Sequence, residues 1–420
     1  MEYIFYDTCA LLSDQKEIFK KDEKLYLSSI TLNELENIKT SGTKDEETKY
    51  NARILLHALA ENKNKYEIVL FQENFLKEIK KFNLPDTNDT KIISCALHLF
   101  KKFKNETCIF YTKDLACEAL AAAVGLNVIY KKDVIDKYSG YAEFTLNDET
   151  LAQFYEKYLP NNDISFFEPK LFENEYLLIK NCVNEIIDKY KWHHNELVKI
   201  PFYKAESKMF GKIVPKDGDP YQQIALDSLY TNQITMLRGA AGSGKSYLAL
   251  GYMFSLLEKG EIDKIIIFCN TVAVKGSAKL GFYPGSRTEK LLDSQIGNLL
   301  ESKLGDQLAV EKLINEGSLI LLPMADIRGY DTTGMNAAVY ITEAQNLDIE
   351  LMRLALQRIG EDSICILDGD DQAQVDSSLY AGNNNGLRRV SKVFRGSDIY
   401  GEVKLKNIHR SKIANLAQKL

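Results

Sequence analysis

The residues with the most explicit chemistry lie in the run GAAGSGKS, from Gly239 to Ser246. A short apolar stretch, Gln233 to Leu237, leads into it, and a helical pattern follows. In that pattern Leu248, Tyr252 and Leu256 share one row, and Ala249, Met253 and Leu257 share the next. Lys259-Gly260 supply a C-terminal stop. Strand, glycine loop and helix are the setting that GxxxxGK[ST] requires. Gly239, Ala240, Ala241, Gly242, Ser243 and Gly244 would turn successive backbone N–H groups inward to cradle phosphate oxygens, with the positive end of the helix behind them. Lys245 would reach the β- and γ-phosphates, the Ser246 hydroxyl would bind Mg²⁺, and Tyr247 closes the run of nucleotide-binding residues. The stretch implies a site for ATP or GTP.

A second constellation is acidic. Asp7 ends the apolar stretch Tyr3 to Tyr6, and Thr31-Leu32-Asn33-Glu34 follows a strand pattern from Leu25 to Ile30. Asp89 opens a helix carrying Ile92, Ile93, Ala96, Leu97 and Phe100, and Asp114 lies just past the strand Thr107 to Thr112. With further strands at Glu67 to Phe71 and Leu126 to Tyr130, the alternation predicts an α/β domain on a mostly parallel sheet. Its ligand crevice would lie beyond the carboxyl ends of the strands. Singly, each acid has a plain reading: Thr31 with Glu34 is a capping box, Asp89 and Asp114 are N-caps, and Asp7 satisfies a turn. Together, four carboxylates on one sheet edge would repel unless a divalent cation neutralised them, and oxygen ligands suit Mg²⁺ or Mn²⁺.

In order and spacing, Asp7, Glu34, Asn88-Asp89 and Thr112-Lys113-Asp114 resemble a PIN-domain ribonuclease across a first domain of residues 1–138. The resemblance implies a metal-dependent endonuclease for single-stranded RNA, with Asp7, Glu34, Asp89 and Asp114 holding the metal and Asp7 and Asp114 catalytic. Asp86 and Asp133 read as surface or turn acids.

Beyond residue 217 the apolar stretches Lys264 to Cys269, Ser318 to Leu322, Ala337 to Ile341 and Ser363 to Leu367 join the strand before the glycine loop. Five buried strands with helices between them predict a RecA-like P-loop domain over 217–420. Leu280-Gly281-Phe282-Tyr283-Pro284-Gly285 with Glu289-Lys290, then Arg328-Gly329, Glu343-Ala344-Gln345-Asn346, Gln357-Arg358-Ile359-Gly360, Gly369-Asp370 and Gln374-Val375-Asp376 resemble the PhoH family of ATPases in order. That resemblance implies ATP as ligand, Glu343 as the acid that orients the attacking water, and Asp370 and Gln374 as γ-phosphate sensors. Gln345 would couple that state to nucleic acid. Gln222, followed by Ala225 and Leu226, is similar to the adenine-reading glutamine motif of superfamily 1 helicases.

Three positions depart from the pattern. Thr342 stands where an aspartate normally holds the Mg²⁺ water, Tyr330 replaces a second arginine, and one extra residue separates Gly369-Asp370 from Gln374. Asn407-Ile408-His409-Arg410-Ser411 resembles the point where superfamily 1 helicases begin a second motor lobe, and only a helix follows it here. A single RecA-like domain cannot close its own nucleotide cleft. A neighbouring subunit is therefore expected to contribute Arg328, Arg358 or Arg410, in a homo-oligomeric, hexameric ring.

Between the two domains, residues 139–216 form a connector where PIN–PhoH fusions carry a small β-rich module. Phe166-Phe167-Glu168-Pro169 breaks any helix there, and Glu175 to Lys180 reads as a strand. His193 and His194 follow the single Trp192; adjacent on a strand, they would point to opposite faces and not share a metal.

Composition bounds the rest. With 53 basic against 59 acidic residues the net charge is −6, which excludes a broadly basic nucleic-acid coat. Local basic groups remain: Lys101, Lys102 and Lys104 around Phe103, Lys131-Lys132, and Arg388, Arg389, Lys392 and Arg395. The seven cysteines form no CxxC pair, Glu2 and Asp7 interrupt any leader at the start, and no apolar run approaches the ~18 residues of a membrane span. A cytoplasmic protein with reduced thiols is expected. The leading expectation is ATP-dependent RNA remodelling coupled to endoribonucleolytic cleavage. One alternative makes the first domain a non-catalytic RNA-binding or docking module; another is a nucleotide-dependent switch without nucleic acid.

Overall fold

The computed structural model describes residues 2–14, 18–19, 24–42, 44, 46–103, 106–130, 138–165, 170–269, 300–302, 305, 307–370 and 385–409. The expectations placed on Leu280 to Gly285, Glu289-Lys290, Gln374 to Asp376 and Arg410-Ser411 lie outside these residues, as do Lys104, Lys131-Lys132, Asp133 and Phe166 to Pro169. The chain divides into two compact units, Met1–Lys137 and Tyr138–Leu420.

In the first unit, β1 (Glu2–Tyr6), β2 (Lys24–Ser28), β3 (Tyr66–Val69), β4 (Thr107–Thr112) and β5 (Val128–Tyr130) form a fully parallel sheet in the order β3-β2-β1-β4-β5. β1 is central and buried on both faces, as its unbroken apolar run requires. Tyr3 and Phe5 pack with Ile92, Ile93 and Phe110 on one side, and Ile4 and Tyr6 with Leu11, Leu27 and Leu55 on the other. Phe103, the aromatic among lysines, stacks on Tyr3 at 4.2 Å between ring centroids and belongs to the core.

Two helix starts differ from expectation. β2 ends at Ser28, whose hydroxyl accepts from the Thr31 N–H at 2.9 Å and caps the helix Ser29–Thr40. Glu34 thus lies inside that helix, and its carboxylate is not spent on a capping box with Thr31. At the helix Asn88–Phe100 the cap is Thr87, in a reciprocal box with Thr90, and Asp89 is left over. In both cases a hydroxyl upstream reached the orphan N–H groups first.

Among the described residues, the second unit contains three sheets. β6 (Tyr141–Thr145), β7 (Tyr176–Lys180), β8 (Ile186–His193) and β9 (Glu196–Lys199) form a mixed sheet in that order, with β6 and β7 parallel. β10 (Ala205–Ser207) and β11 (Gly211–Ile213) make a hairpin. At the β8–β9 turn His194 has a φ of 49° and leaves the strand, so the two histidine rings lie 4.0 Å apart instead of on opposite faces. Both turn to Glu173, whose carboxylate is 2.7 Å from His193 Nδ1.

The third sheet is parallel, in the order β14 (Leu319–Pro323), β13 (Lys264–Cys269), β15 (Ala337–Ile341), β16 (Ile364–Gly369), β12 (Ile234–Gly239) and β17 (Tyr400–Leu405). It has six strands where five were expected. β17 hides from a hydropathy reading because it buries Glu402, which pairs with Arg238 at 3.0 Å; the two side chains are 0% and 4% exposed. Arg238 also donates to the Tyr138 carbonyl, the Lys404 N–H donates to the Ser139 carbonyl at 2.9 Å, and a Cβ on Gly140 would overlap the Glu402 carbonyl. The small sheet is thus fastened directly to β17. Removing one partner of a buried ion pair strands the other charge. Glu402→Ala is therefore expected to cost about 3–5 kcal/mol, read as a lower midpoint in urea unfolding, with the P-loop strand among the elements loosened. Among the described residues, no helix is long and apolar enough to cross a membrane.

Candidate active sites

At the carboxyl edge of the first sheet, β1 and β4 are the neighbours from which the chain departs in opposite directions, the position where ligands bind in such sheets. Asp7 follows β1 and is 4% exposed. Its Oδ1 accepts from the Ala10 N–H at 2.6 Å, and its Oδ2 accepts from the Thr112 hydroxyl. Asp114 follows β4 and caps the helix Leu115–Ala123, with Oδ1 accepting from Ala116 and Cys117 N–H groups at 2.7 and 2.9 Å. Glu34 reaches across to accept from the Thr8 hydroxyl.

The electrostatics show that the four acids share one neighbourhood. Burial, then the charges of Asp7, Asp114, Asp89 and Glu34, push the Cys9 thiol up to about 12. Burial pushes Asp7 up to about 6, against the hydrogen bonds from Thr112 and Ala10 and with added repulsion from Asp114 and Asp89. Burial, then Glu34 and Asp114, raise Asp89. The cluster is open: among the described residues, only Glu173, His193 and His194 bring three such ligand atoms within 4.8 Å of one another. Oxygen donors around a shared excess of negative charge fit a hydrated divalent ion.

The Asp7 shift has a measurable consequence. Between its unfolded value of 3.8 and its folded value of about 6, the folded chain holds a proton that the unfolded chain has lost. Stability attributable to Asp7 is therefore present below about pH 4 and lost as pH rises through 6, amounting to about 3 kcal/mol. In metal-free buffer at pH 7, Asp7→Asn is expected to raise the chain's melting temperature, and the gain should vanish at pH 4. A scan showing the same difference at both pH values would contradict this.

In the second unit the loop after β12 bends through Gly239 (φ 144°) and Gly244 (φ 100°). A Cβ on Gly239 would lie 2.6 Å from the Leu405 carbonyl oxygen, and one on Gly244 would lie 2.7 Å from Gln222 Nε2. Close approach explains why both are glycines. Lys245 begins the helix Lys245–Lys259, and its Nζ donates to the Gly239 and Ala240 carbonyls at 2.7 and 3.1 Å. Ala240, Ala241 and Gly242 are half-buried, and the Tyr247 hydroxyl donates to the Lys212 carbonyl at 3.0 Å. Among the described residues, Ser243 Oγ has no hydrogen-bond partner, buried inside this cradle. A glycine cradle at a helix start, with an orphaned hydroxyl and a lysine over it, fits a triphosphate.

Gln222 is buried beneath the loop. Its Nε2 donates to the Ser243 carbonyl at 2.9 Å and its Oε1 accepts from the Lys216 N–H at 2.8 Å. Glu343 follows β15 with a φ of 51°, a left-handed backbone that costs a non-glycine residue about 1 kcal/mol or more. Its Oε2 accepts from Gln345 Nε2 at 2.6 Å, and Gln345 Oε1 accepts from the Asp370 N–H at 3.1 Å. Glu343, Gln345 and Asp370 are thus brought together. Arg328 is exposed after the turn Met324–Asp326, and Arg358 is half-buried just after the helix Ile349–Leu356.

Three side chains at this site were not singled out for it from the sequence. Asp368, near the end of β16, accepts from the Ser246 hydroxyl at 2.8 Å, the Tyr340 hydroxyl at 2.5 Å and the Glu343 N–H at 3.0 Å. Its signal was an acid ending an apolar strand, masked by the Gly369-Asp370 motif beside it. Tyr340 sat unmarked within an apolar strand. His409 donates its N–H to the Gly242 carbonyl at 2.9 Å and places Nε2 2.7 Å from Asp219 Oδ2.

Comparison with known proteins matches residues 4–131 to the PIN domain model and residues 213–420 to the PhoH-like protein model. Protein PhoH2 of Bacillus subtilis (strain 168) is 27% identical over 99% of this chain and 98% of its own length. Protein PhoH2 of Mycolicibacterium smegmatis (strain ATCC 700084 / mc(2)155) is 27% identical over 80% of this chain and 74% of its own. Among solved structures, a domain of a functionally unknown protein from Methanocaldococcus jannaschii DSM 2661 covers 33% of this chain and 96% of its own, at 19% identity and a TM-score of 0.24, a likeness on which nothing functional rests.

Proposed function

The chain is a fusion of an N-terminal PIN domain with a C-terminal PhoH-like domain, and from that premise we propose that it is an ATP-driven RNA-remodelling enzyme with its own metal-dependent endoribonuclease. What supports the cleavage half is that Asp7, Glu34, Asp89 and Asp114 lie near enough together for the charge of each to raise the Cys9 thiol. These four would hold Mg²⁺ or Mn²⁺, which supplies an activated water and charge neutralisation at the scissile phosphate. Thr112 and Thr8 hold the Asp7 and Glu34 carboxylates toward the edge.

In the motor half, loop N–H groups and Lys245 bind the phosphates of ATP, and Gln222 braces the loop from below. Glu343, aimed by its left-handed backbone and by Gln345, accepts the proton of the attacking water. Asp370, tied to the same Gln345, reports the state of the γ-phosphate. An arginine from a neighbouring copy, Arg328, Arg358 or Arg410, completes the site in a hexameric ring. Light scattering of a monomer at full ATPase activity would exclude the ring.

The direct test is incubation with end-labelled single-stranded RNA, with and without ATP and Mn²⁺. Metal-dependent shortening of the RNA and RNA-stimulated ATP hydrolysis are expected. A second reading, an ATPase whose first domain only docks RNA, draws on the caps made by Asp7 and Asp114. Mn²⁺ titration of the full chain with and without Asp89→Asn separates the two, because caps alone bind no metal.

A further inference from the structure

Within this nucleotide-hydrolysing reading, one position is short of a charge. P-loop ATPases hold the Mg²⁺ with the loop Ser or Thr and with an aspartate at the end of another strand of the sheet. The end of β15 offers Thr342 there, 8% exposed and uncharged. The sheet register pairs Ile341 with Leu367, so Thr342 and Asp368 come next on adjacent strands. Asp368 is 2% exposed, and one of its oxygens accepts from the Ser246 hydroxyl at 2.8 Å.

Asp368 is held by uncharged partners. Its three donors, Ser246, Tyr340 and the Glu343 N–H, are all neutral. Among the described residues it forms no ion pair with lysine or arginine. A buried carboxylate draws its stability from such donors and from any positive charge brought to it. The oxygens of Asp368 and Ser246 suit Mg²⁺.

We propose that Asp368, from β16, supplies the magnesium-ordering carboxylate that Thr342 withholds from β15. The acid stands one strand over from Thr342, beside Ser246. Because the Glu343 N–H rests on the other Asp368 oxygen, a single side chain also sets the backbone from which the catalytic acid projects.

The test uses the full chain with a non-hydrolysable ATP analogue and Mn²⁺ followed by electron paramagnetic resonance. Asp368→Asn is expected to weaken Mn²⁺ binding to the nucleotide-bound chain by about 10–100-fold. In EDTA the same variant should bind the analogue as tightly as the parent or more so, because a negative charge near the phosphates is gone. A merely structural role would weaken nucleotide binding in both conditions. Unchanged Mn²⁺ affinity in a variant that binds the analogue would overturn the proposal. Failure of the parent chain to bind nucleotide at all would instead remove the ATPase reading. Should Asp368→Asn not fold, the exchange Thr342→Asp with Asp368→Thr is used. It should recover Mn²⁺ affinity, and a folded exchange variant that binds the analogue without Mn²⁺ would equally overturn the assignment.

Discussion

Lys245→Ala is expected to lower ATP turnover by about 10²–10³-fold or more, the loss seen when one preorganised donor to developing charge is removed. Its Nζ already sits over the loop on the Gly239 and Ala240 carbonyls. The donor is therefore in place before the transition state forms, and alanine leaves nothing to replace it. The cradle of N–H groups survives the change, so the analogue should still bind, more weakly. RNA cutting measured without ATP should be untouched, because the acids of the first unit lie in a separate compact body. Phosphate release beside fluorescent-nucleotide binding decides the matter. Turnover persisting at the parent rate would mean that the glycine loop is not the working nucleotide site.

The second large effect is the reverse. Asp7→Asn or Asp114→Asn should reduce metal-dependent RNA cleavage by at least about 10²-fold while leaving ATP hydrolysis intact. Asparagine is the right probe because it caps helices as well as aspartate does. The N–H groups of Ala10, Ala116 and Cys117 keep an acceptor, so the fold should hold while the charge is lost. Gel analysis of labelled RNA in Mn²⁺ reads the outcome. If both variants cut RNA at the parent rate, the nuclease assignment is wrong.

What the sequence disclosed, it disclosed through local rules. The glycine loop needs only its own neighbours, and both parallel sheets announce themselves by unbroken apolar strands such as β1 and β13. Asp114 caps its helix as expected, but two other caps were misassigned because several hydroxyls and acids compete within three residues. Ser28 and Thr87 won where Thr31 and Asp89 were expected. β17 was missed since its central Glu402 is paid for by Arg238, some 160 positions earlier in the chain, a partnership no window can see. His193 and His194 were assigned to opposite faces on the assumption that the strand continued through both. Asp368 escaped notice for a similar reason: its meaning depends on Ser246 and Thr342, which only the sheet order brings beside it.

The contact at Gly140 bears on how the small mixed sheet follows β17. With no room for a side chain between that residue and the β17 backbone, the small mixed sheet is held hard against β17. A tilt of β17 would therefore carry the strand beginning at Tyr141 with it. The small sheet and β17 are thereby expected to move as one piece.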